Sequence, residues 1–222
     1  MSFVGKKILV VGANGAFGAE FCAQLMAQGA LVLGTARSAE SSIRLRGDLH
    51  ERLLLDLSST SSIEQLAAYL NGLDGVIFAS GLVAFGSIEE TPPSVAATLM
   101  QVNAVGPMTL LSLLLPELKG GREPFVVTIS GVISEQPMAG LSAYSASKTA
   151  LAGFATAASK ELRKEGVLVL DARPGHTESG LASRAIFGTA PNFGVGKGVS
   201  DVVARILLGV ANQERDLPSF AF

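Results

Sequence analysis

The chain has 222 residues, 48% of them hydrophobic and only 16% charged, with 25 glycines and a formal net charge of 17 − 19 = −2. That length suits one core rather than two domains, and so high an apolar share excludes a disordered chain. No basic run points to nucleic acid. The apolar run from Leu110 to Leu115, broken by Ser112 and stopped by Pro116, is far below the roughly 20 residues of a membrane span.

The N-terminal stretch MSFVGKKILVVG sets its lysines directly against a short strand-like run and lacks the apolar core and cleavage site of a signal peptide, so a cytoplasmic protein is expected. Cys22 is the single cysteine, which rules out a disulfide within the chain; inside AEFCAQLMAQ it reads as a small buried apolar residue.

In chain order, the β-branched run Lys7 to Val11 predicts a strand. Gly12 to Gly18 forms a turn, AEFCAQLMAQ has helical spacing, Gly29 predicts the C-cap, and Ala30 to Thr35 predicts a second buried strand. Together they make a βαβ unit of about 30 residues. Further strands are expected at Arg52 to Leu55, Gly75 to Ala79, Phe125 to Ile129 and Val167 to Leu170. Helices are expected at Ser61 to Leu70, Val95 to Leu118, Ala143 to Lys164 and Val199 to Gln213, and DLPSFAF as a short edge strand. This alternation predicts a single doubly wound α/β domain over residues 1–222, with a parallel sheet and a ligand crevice beyond the carboxyl ends of its strands. Residues 186–198, IFGTAPNFGVGKG, form the one long glycine-rich loop, with few groups to pin it.

Gly12-Ala-Asn14-Gly15-Ala-Phe17-Gly18 lies between the first strand and the first helix. Glycine lets the backbone approach a pyrophosphate, and a helix N-terminus offers amide donors and partial positive charge. The context, first in a βαβ unit, points to a dinucleotide. After the second strand, where an acidic residue would hold the ribose hydroxyls of NAD, the chain has Arg37 and Ser38. These suit a 2′-phosphate, so NADP is preferred and NAD remains possible. Asp56, after the third strand, reads either as an acceptor for an adenine amino group or as a helix N-terminal turn residue.

Tyr144-Ser-Ala-Ser-Lys148 places a phenol and an ammonium one helical turn apart. With the glycine turn, Asn103 in QVNAVGP and Pro174-Gly175-His176-Thr177, the motifs and their spacing resemble the short-chain dehydrogenase/reductase family over roughly residues 5–180. The resemblance implies a Rossmann-type fold and a nicotinamide dinucleotide held by Gly12, Asn14, Gly15, Phe17, Gly18, Arg37, Ser38, Asp56, Ala79, Ser80 and Gly81, by Tyr144 and Lys148, and by Pro174, Gly175 and Thr177. It implies Tyr144 as general acid in carbonyl reduction and base in alcohol oxidation. Lys148 and the nicotinamide charge would lower a phenol pKa of ~10. Asn103 would kink its helix, helped by Gly106 and Pro107, and hold a water leading to Lys148; a buried structural asparagine is the other reading. Ala16 replaces the family's middle glycine, and Phe78-Ala79-Ser80-Gly81 stands where the family has Asn-Asn-Ala-Gly.

In the family a substrate-orienting serine stands thirteen residues before the tyrosine; here that residue is Gly131. Ser130 substitutes, or Ser134 in the following loop does, or no side chain does. Ser130 is expected to need a bulge or a one-residue loop change at the strand end to turn inward, since successive strand residues face opposite sides. Two functions follow. One is an NADP-preferring reductase of a small ketone or aldehyde, or the matching alcohol dehydrogenase, with Tyr144, Lys148, Ser130 and Asn103 as its catalytic group. The other is a dinucleotide-binding sensor or scaffold without turnover. The substrate loop is expected at about residues 179–198, where Ile186, Phe187 and Phe193 suggest an apolar substrate. His176 is read as a packing or substrate-lining residue, and His50 has no assigned role. By the resemblance, the Asn103 and Tyr144 helices build a homodimer, and the shortened C-terminal end leaves a tetramer open.

Overall fold

The computed structural model describes residues 1–45 and 47–222. Seven strands form one all-parallel sheet in the order β3-β2-β1-β4-β5-β6-β7. They are β1 (Lys7–Val11), β2 (Leu31–Ala36), β3 (Glu51–Leu54), β4 (Gly75–Phe78), β5 (Phe125–Ile129), β6 (Leu168–Ala172) and β7 (Asp216–Leu217). The central strands are apolar on both sides because helices cover both faces. One face packs Ile8, Val10, Val127 and Leu170 against α1 (Ala16–Ala27) and α7 (Val199–Ala211). The other packs Leu9, Val76, Val126 and Val169 against α3 (Thr60–Tyr69), α5 (Gly106–Lys119) and α6 (Ser142–Leu162). Cys22 lies in the first layer, and burial pushes its thiol up to about 12, the state of a packed apolar side chain.

The strand order reverses between β1 and β4, so a crevice opens beyond their carboxyl ends, the usual ligand position in such sheets. Two elements differ from the sequence expectation. A single helical turn, α2 (Ala39–Ser42), follows β2; Ser38 and Ser41 close it by a reciprocal capping box. The helix expected from Val95 to Leu118 is interrupted. It starts as α4 (Pro93–Met100), widens to a π turn at Gln101–Val105, where Gly106 N–H bonds the Gln101 carbonyl, and continues as α5. Pro107 has no N–H and would crowd the carbonyl four residues back, that of Asn103; the extra residue in the turn relieves this. Gly106 is needed at the same place, since a Cβ there would stand 2.6 Å from the Leu57 carbonyl oxygen.

The loop after β6 is held more firmly than its composition suggests. Ile186 N–H bonds the Val83 carbonyl at 2.9 Å and Phe85 N–H bonds the Phe187 carbonyl at 2.9 Å. At the far end, Lys197 N–H bonds the His176 carbonyl at 2.9 Å, and Gly196 N–H bonds the Glu178 carboxylate at 2.7 Å. Glycine content alone misleads here because backbone pairing with residues about a hundred positions earlier supplies the anchors.

Candidate active site

The crevice has a volume of about 1030 Å³ and runs from the glycine turn, past the ends of β4 and β5, to Tyr144 and the loop after β6. At one end, Gly12 adopts φ +83°, and a Cβ on it would lie 2.8 Å from Ser80 Cβ. Only glycine permits that close pass. Gly15 is the N-cap residue of α1; no side chain caps the helix, and its first turn carries no acidic residue, so its leading amides are available to an anion. Gly12, Asn14, Gly15 and Phe17 line the crevice. Gly18 does not; a Cβ there would fall 2.1 Å from the Gly12 carbonyl oxygen, so its role is to let the helix close on the turn.

Among the described residues, Ser80 Oγ is the one buried side-chain polar atom with no hydrogen-bond partner. An unpaired buried hydroxyl costs roughly 1–3 kcal/mol, and such an atom calls for a partner from outside the chain. It lies against Gly12, in the wall of the crevice. An orphaned hydroxyl, a cradle that a Cβ would fill and uncapped helix amides together fit a dinucleotide.

Arg37 lines the crevice, whereas Ser38 does not: its hydroxyl accepts Ser41 N–H at 3.2 Å to cap α2. Ser38 is thus placed by capping rather than presented to a phosphate. Ser41 and Arg44 line the crevice instead, and the sequence reading missed both. The available signal was the Ser38–Ser41 spacing, which marks a helix start and brings Arg44 round with it. Asp56 lines the crevice while its Oδ1 accepts Ser58 N–H at 2.9 Å and Ser58 Oγ at 2.6 Å, the turn role named as one alternative. Ala79, Ser80 and Gly81 form the floor beside it.

Gly81 connects the two ends of the site: a Cβ there would lie 3.5 Å from both Asn103 Oδ1 and Lys148 Nζ. Asn103, 1% exposed, does not line the crevice. Its Oδ1 accepts Leu82 N–H at 2.8 Å, and its Nδ2 donates to the Leu82 carbonyl at 2.9 Å and to Ser147 Oγ at 3.0 Å. The side chain therefore ties the segment after β4 to α6.

Tyr144 is half-buried in the crevice wall and packs against Val83, Phe85, Ile133 and Leu141. Burial pushes its phenol up to about 12. The Lys148 ammonium donates to the Ile129 carbonyl at 2.7 Å, and its own burial, partly countered by Asp171, brings it down to about 8.

Gly131 takes φ +73°, a left-handed conformation in which a serine would be strained. Ser130, at 0% exposure, donates its hydroxyl to Asp171 Oδ2 at 2.5 Å. Ser134 donates to the Gly131 carbonyl at 2.7 Å, and its Oγ lies 3.1 Å from Ser130 Oγ. Ser130 lines the crevice with Tyr144, its proton held by Asp171, whereas Ser134 lies outside the lining and bonds the Gly131 carbonyl.

Pro174, Gly175 and Thr177 complete the crevice below Tyr144. Thr177 Oγ1 donates to the Gly175 carbonyl at 3.0 Å, and the Pro174 carbonyl accepts Val132 N–H at 2.9 Å. His176 stacks on Phe193 with ring centres 5.2 Å apart, and its Nε2 lies 3.6 Å from Glu178 Oε1. His50 lies outside the crevice lining.

Residues 6–186 match the short chain dehydrogenase family profile. A dehydrogenase/reductase SDR family protein 7-like of Anopheles gambiae is 28% identical over 96% of this chain and 74% of its own length. A dehydrogenase/reductase SDR family member 7B of Xenopus tropicalis is 27% identical over 95% of this chain and 75% of its own. Among solved structures, a short-chain dehydrogenase from Streptomyces avermitilis superimposes with TM-score 0.85 at 27% identity, over 98% of this chain and 90% of that one. A short chain dehydrogenase from Burkholderia cenocepacia J2315, in complex with NADP, shares the fold with TM-score 0.88 at 20% identity, over 100% of this chain and 91% of that one. The strand order, the glycine turn and the match over most of the chain give one conclusion: the protein belongs to the short-chain dehydrogenase/reductase family.

Proposed function

We propose that the protein is a nicotinamide-dinucleotide-dependent reductase of small apolar ketones or aldehydes, with Tyr144 as proton donor and NADP preferred over NAD. The observation that carries this reading is the single crevice that joins the Gly12–Phe17 turn to Tyr144 and Lys148. Gly12, Gly15, the first amides of α1 and Ser80 would hold the pyrophosphate and its ribose, while Arg37 with Arg44 would meet a 2′-phosphate. When bound, the dinucleotide supplies or accepts the hydride.

The chain's own part is positioning and proton transfer. Val83, Phe85, Ile133, Leu141 and Phe193 exclude water from the space beside Tyr144 and suit an apolar substituent. A phenol pushed up to about 12 by burial carries its proton at neutral pH, so Tyr144 is ready to give it to a carbonyl oxygen. Lys148 keeps a cation one helical turn from Tyr144, where it offsets negative charge left on the phenol after transfer. With the Ser130 proton held by Asp171 and the Ser134 proton by the Gly131 carbonyl, Tyr144 orients the substrate oxygen without a serine donor.

The test is oxidation of NADPH or NADH by the purified protein across a panel of aliphatic and aromatic aldehydes and ketones. Carbonyl-dependent oxidation is expected, faster with NADPH. Tyr144→Phe should lower kcat by about 10²-fold or more while NADPH still binds. Undiminished turnover by Tyr144→Phe sinks the assignment. Cofactor binding without turnover on any carbonyl would instead favour the sensor reading, which Gly131 and the committed serine protons support.

A further inference from the structure

Behind Lys148 lies a buried carboxylate that the reaction above does not use. Asp171, 3% exposed, stands opposite Thr128 in the β5–β6 register. Alternation puts Thr128, Ser130 and Asp171 on the sheet face of Val126 and Val169, which α6 covers through Ala155, Ala158 and Leu162. Lys148 belongs to the same helix. The Asp171 carboxylate is held at both oxygens: Oδ1 accepts Thr128 Oγ1 at 2.6 Å, and Oδ2 accepts Ser130 Oγ at 2.5 Å and the Arg173 guanidinium at 3.1 Å.

Arg173 does not neutralise it alone. The same guanidinium bonds Glu135 Oε1 at 2.5 Å, in the segment after β5, and Asp216 Oδ1 at 2.7 Å on β7. One cation thus serves three carboxylates; burial pushes the Asp171 carboxyl up, and the hydrogen bonds from Ser130 and Thr128 and the Arg173 charge work to keep it ionised. Lys148 is the cation on the facing helix. Its ammonium bonds the Ile129 carbonyl, the residue before Ser130, so Asp171 grips by its hydroxyl the same strand end that holds Lys148. The other polar groups around Lys148 are the Tyr144 phenol on its own helix and the Asn103 amide of the π turn, neither of which carries a charge at neutral pH.

We propose that Asp171 is a positioning residue for Lys148: its carboxylate supplies the fixed counter-charge that keeps the buried ammonium protonated, and through Ser130 it sets the strand end on which that ammonium rests. This accounts for a serine kept beside the left-handed Gly131, in the crevice wall, with its proton committed to Asp171. It also makes an aspartate at this point of β6 part of the site, although Asp171 touches the crevice only through the lining residue Ser130. The electrostatics agree: Asp171 is the group that works against the lowering of Lys148 by burial.

The inference rests on the reductase reading only for its effect on turnover, so the test reads Lys148 directly. The full chain is prepared with ¹³C-labelled lysine, the Lys148 signal is assigned by its loss in Lys148→Met, and the amine is titrated by NMR. Its midpoint is expected at about 8 in the parent protein and lower by about one pH unit in Asp171→Asn. Asp171→Glu, which keeps a carboxylate, should return the midpoint toward the parent value. An unmoved midpoint in folded Asp171→Asn overturns the proposal, and so does a midpoint equally low in both variants, since packing rather than charge would then set it. Where Asp171→Asn does not fold, Asp171→Ser is titrated with the same two outcomes. In an active enzyme the alkaline limb of kcat/KM moves with the amine. A moved amine in a protein that reduces no carbonyl supports the inference and removes the reductase reading.

Discussion

At position 131 the backbone, not the chemistry, selects the residue. The turn from β5 into the segment that carries Ser134 needs φ +73°, and Gly131 N–H bonds the Ala172 carbonyl at 3.2 Å to close it. Gly131→Ser is therefore expected to destabilise the fold by about 1–3 kcal/mol without raising kcat, as read by urea unfolding and steady-state rates. A gain in kcat would show that a serine hydroxyl can reach the substrate from there. Lys148 illustrates the opposite tension. The folded protein holds its proton only to about 8, against an ordinary 10.5, which amounts to about 3 kcal/mol of lost stability at neutral pH. Between those two values the unfolded chain binds more protons than the folded one, so stability rises with pH. Lys148→Met is expected to raise Tm at pH 7 while abolishing turnover, with the gain shrinking toward pH 10. A lowered Tm at pH 7 would show that the bond to Ile129 outweighs the burial of the charge. For the parent enzyme, reduction should hold level below about pH 7 and fall as Lys148 loses its proton above about 8.

At the scale of elements, the π turn couples the segment after β4 to α6. Pro107 opens the turn, Asn103 occupies it, and the Asn103 amide holds Leu82 on one side and Ser147 of α6 on the other. The Asn103→Leu change leaves Leu82 N–H and its carbonyl without partners in a buried place. It should cost about 2–3 kcal/mol in urea unfolding and loosen α6 against the segment after β4. An unfolding free energy within about 0.5 kcal/mol of the parent would show that water replaces the amide there. At the other end, α1 depends on Gly18: even alanine would place its Cβ inside the Gly12 carbonyl contact. Ser38 caps α2, Ser41 lies in it and Arg44 follows its end; the turn is too short to show a helical period but is marked by its capping box.

For the whole molecule, the loop after β6 forms one wall of the crevice at Tyr144. It crosses the mouth of the crevice and is tied to the segment after β4 by paired backbone bonds at Ile186 and Phe85. In hydrogen exchange these two amides are expected to be protected while Val195, 99% exposed, exchanges at once. Fast exchange at Phe85 would show that the loop opens freely. The exposed Val105 and Leu113 on the α5 side suit the homodimer that the family resemblance implies. Light scattering should then give twice the 22.8 kDa chain mass, and Leu113→Glu should return it to one. A parent protein of 22.8 kDa excludes that arrangement.

Strand positions, helix positions and the glycine turn were open to sequence reading because each depends on neighbours a few residues away. Apolar runs bounded by glycine become buried strands, and a tyrosine four residues before a lysine shares one helical face. The boundaries moved by a residue or two, as at β3, and the long helix expected to Leu118 hid a π turn that only the crowding of Gly106 against Leu57 and of Pro107 against its own helix explains. The tertiary structure alone decided the rest. Ser130 finds Asp171 forty-one positions away across two strands, Gly18 meets the Gly12 carbonyl, and Ile186 pairs with Val83. Such contacts depend on which strands lie side by side and how the backbone turns at their ends. Neither is carried by local periodicity, and so the sequence by itself could show that a serine was missing from its place but not where the neighbouring hydroxyls had turned.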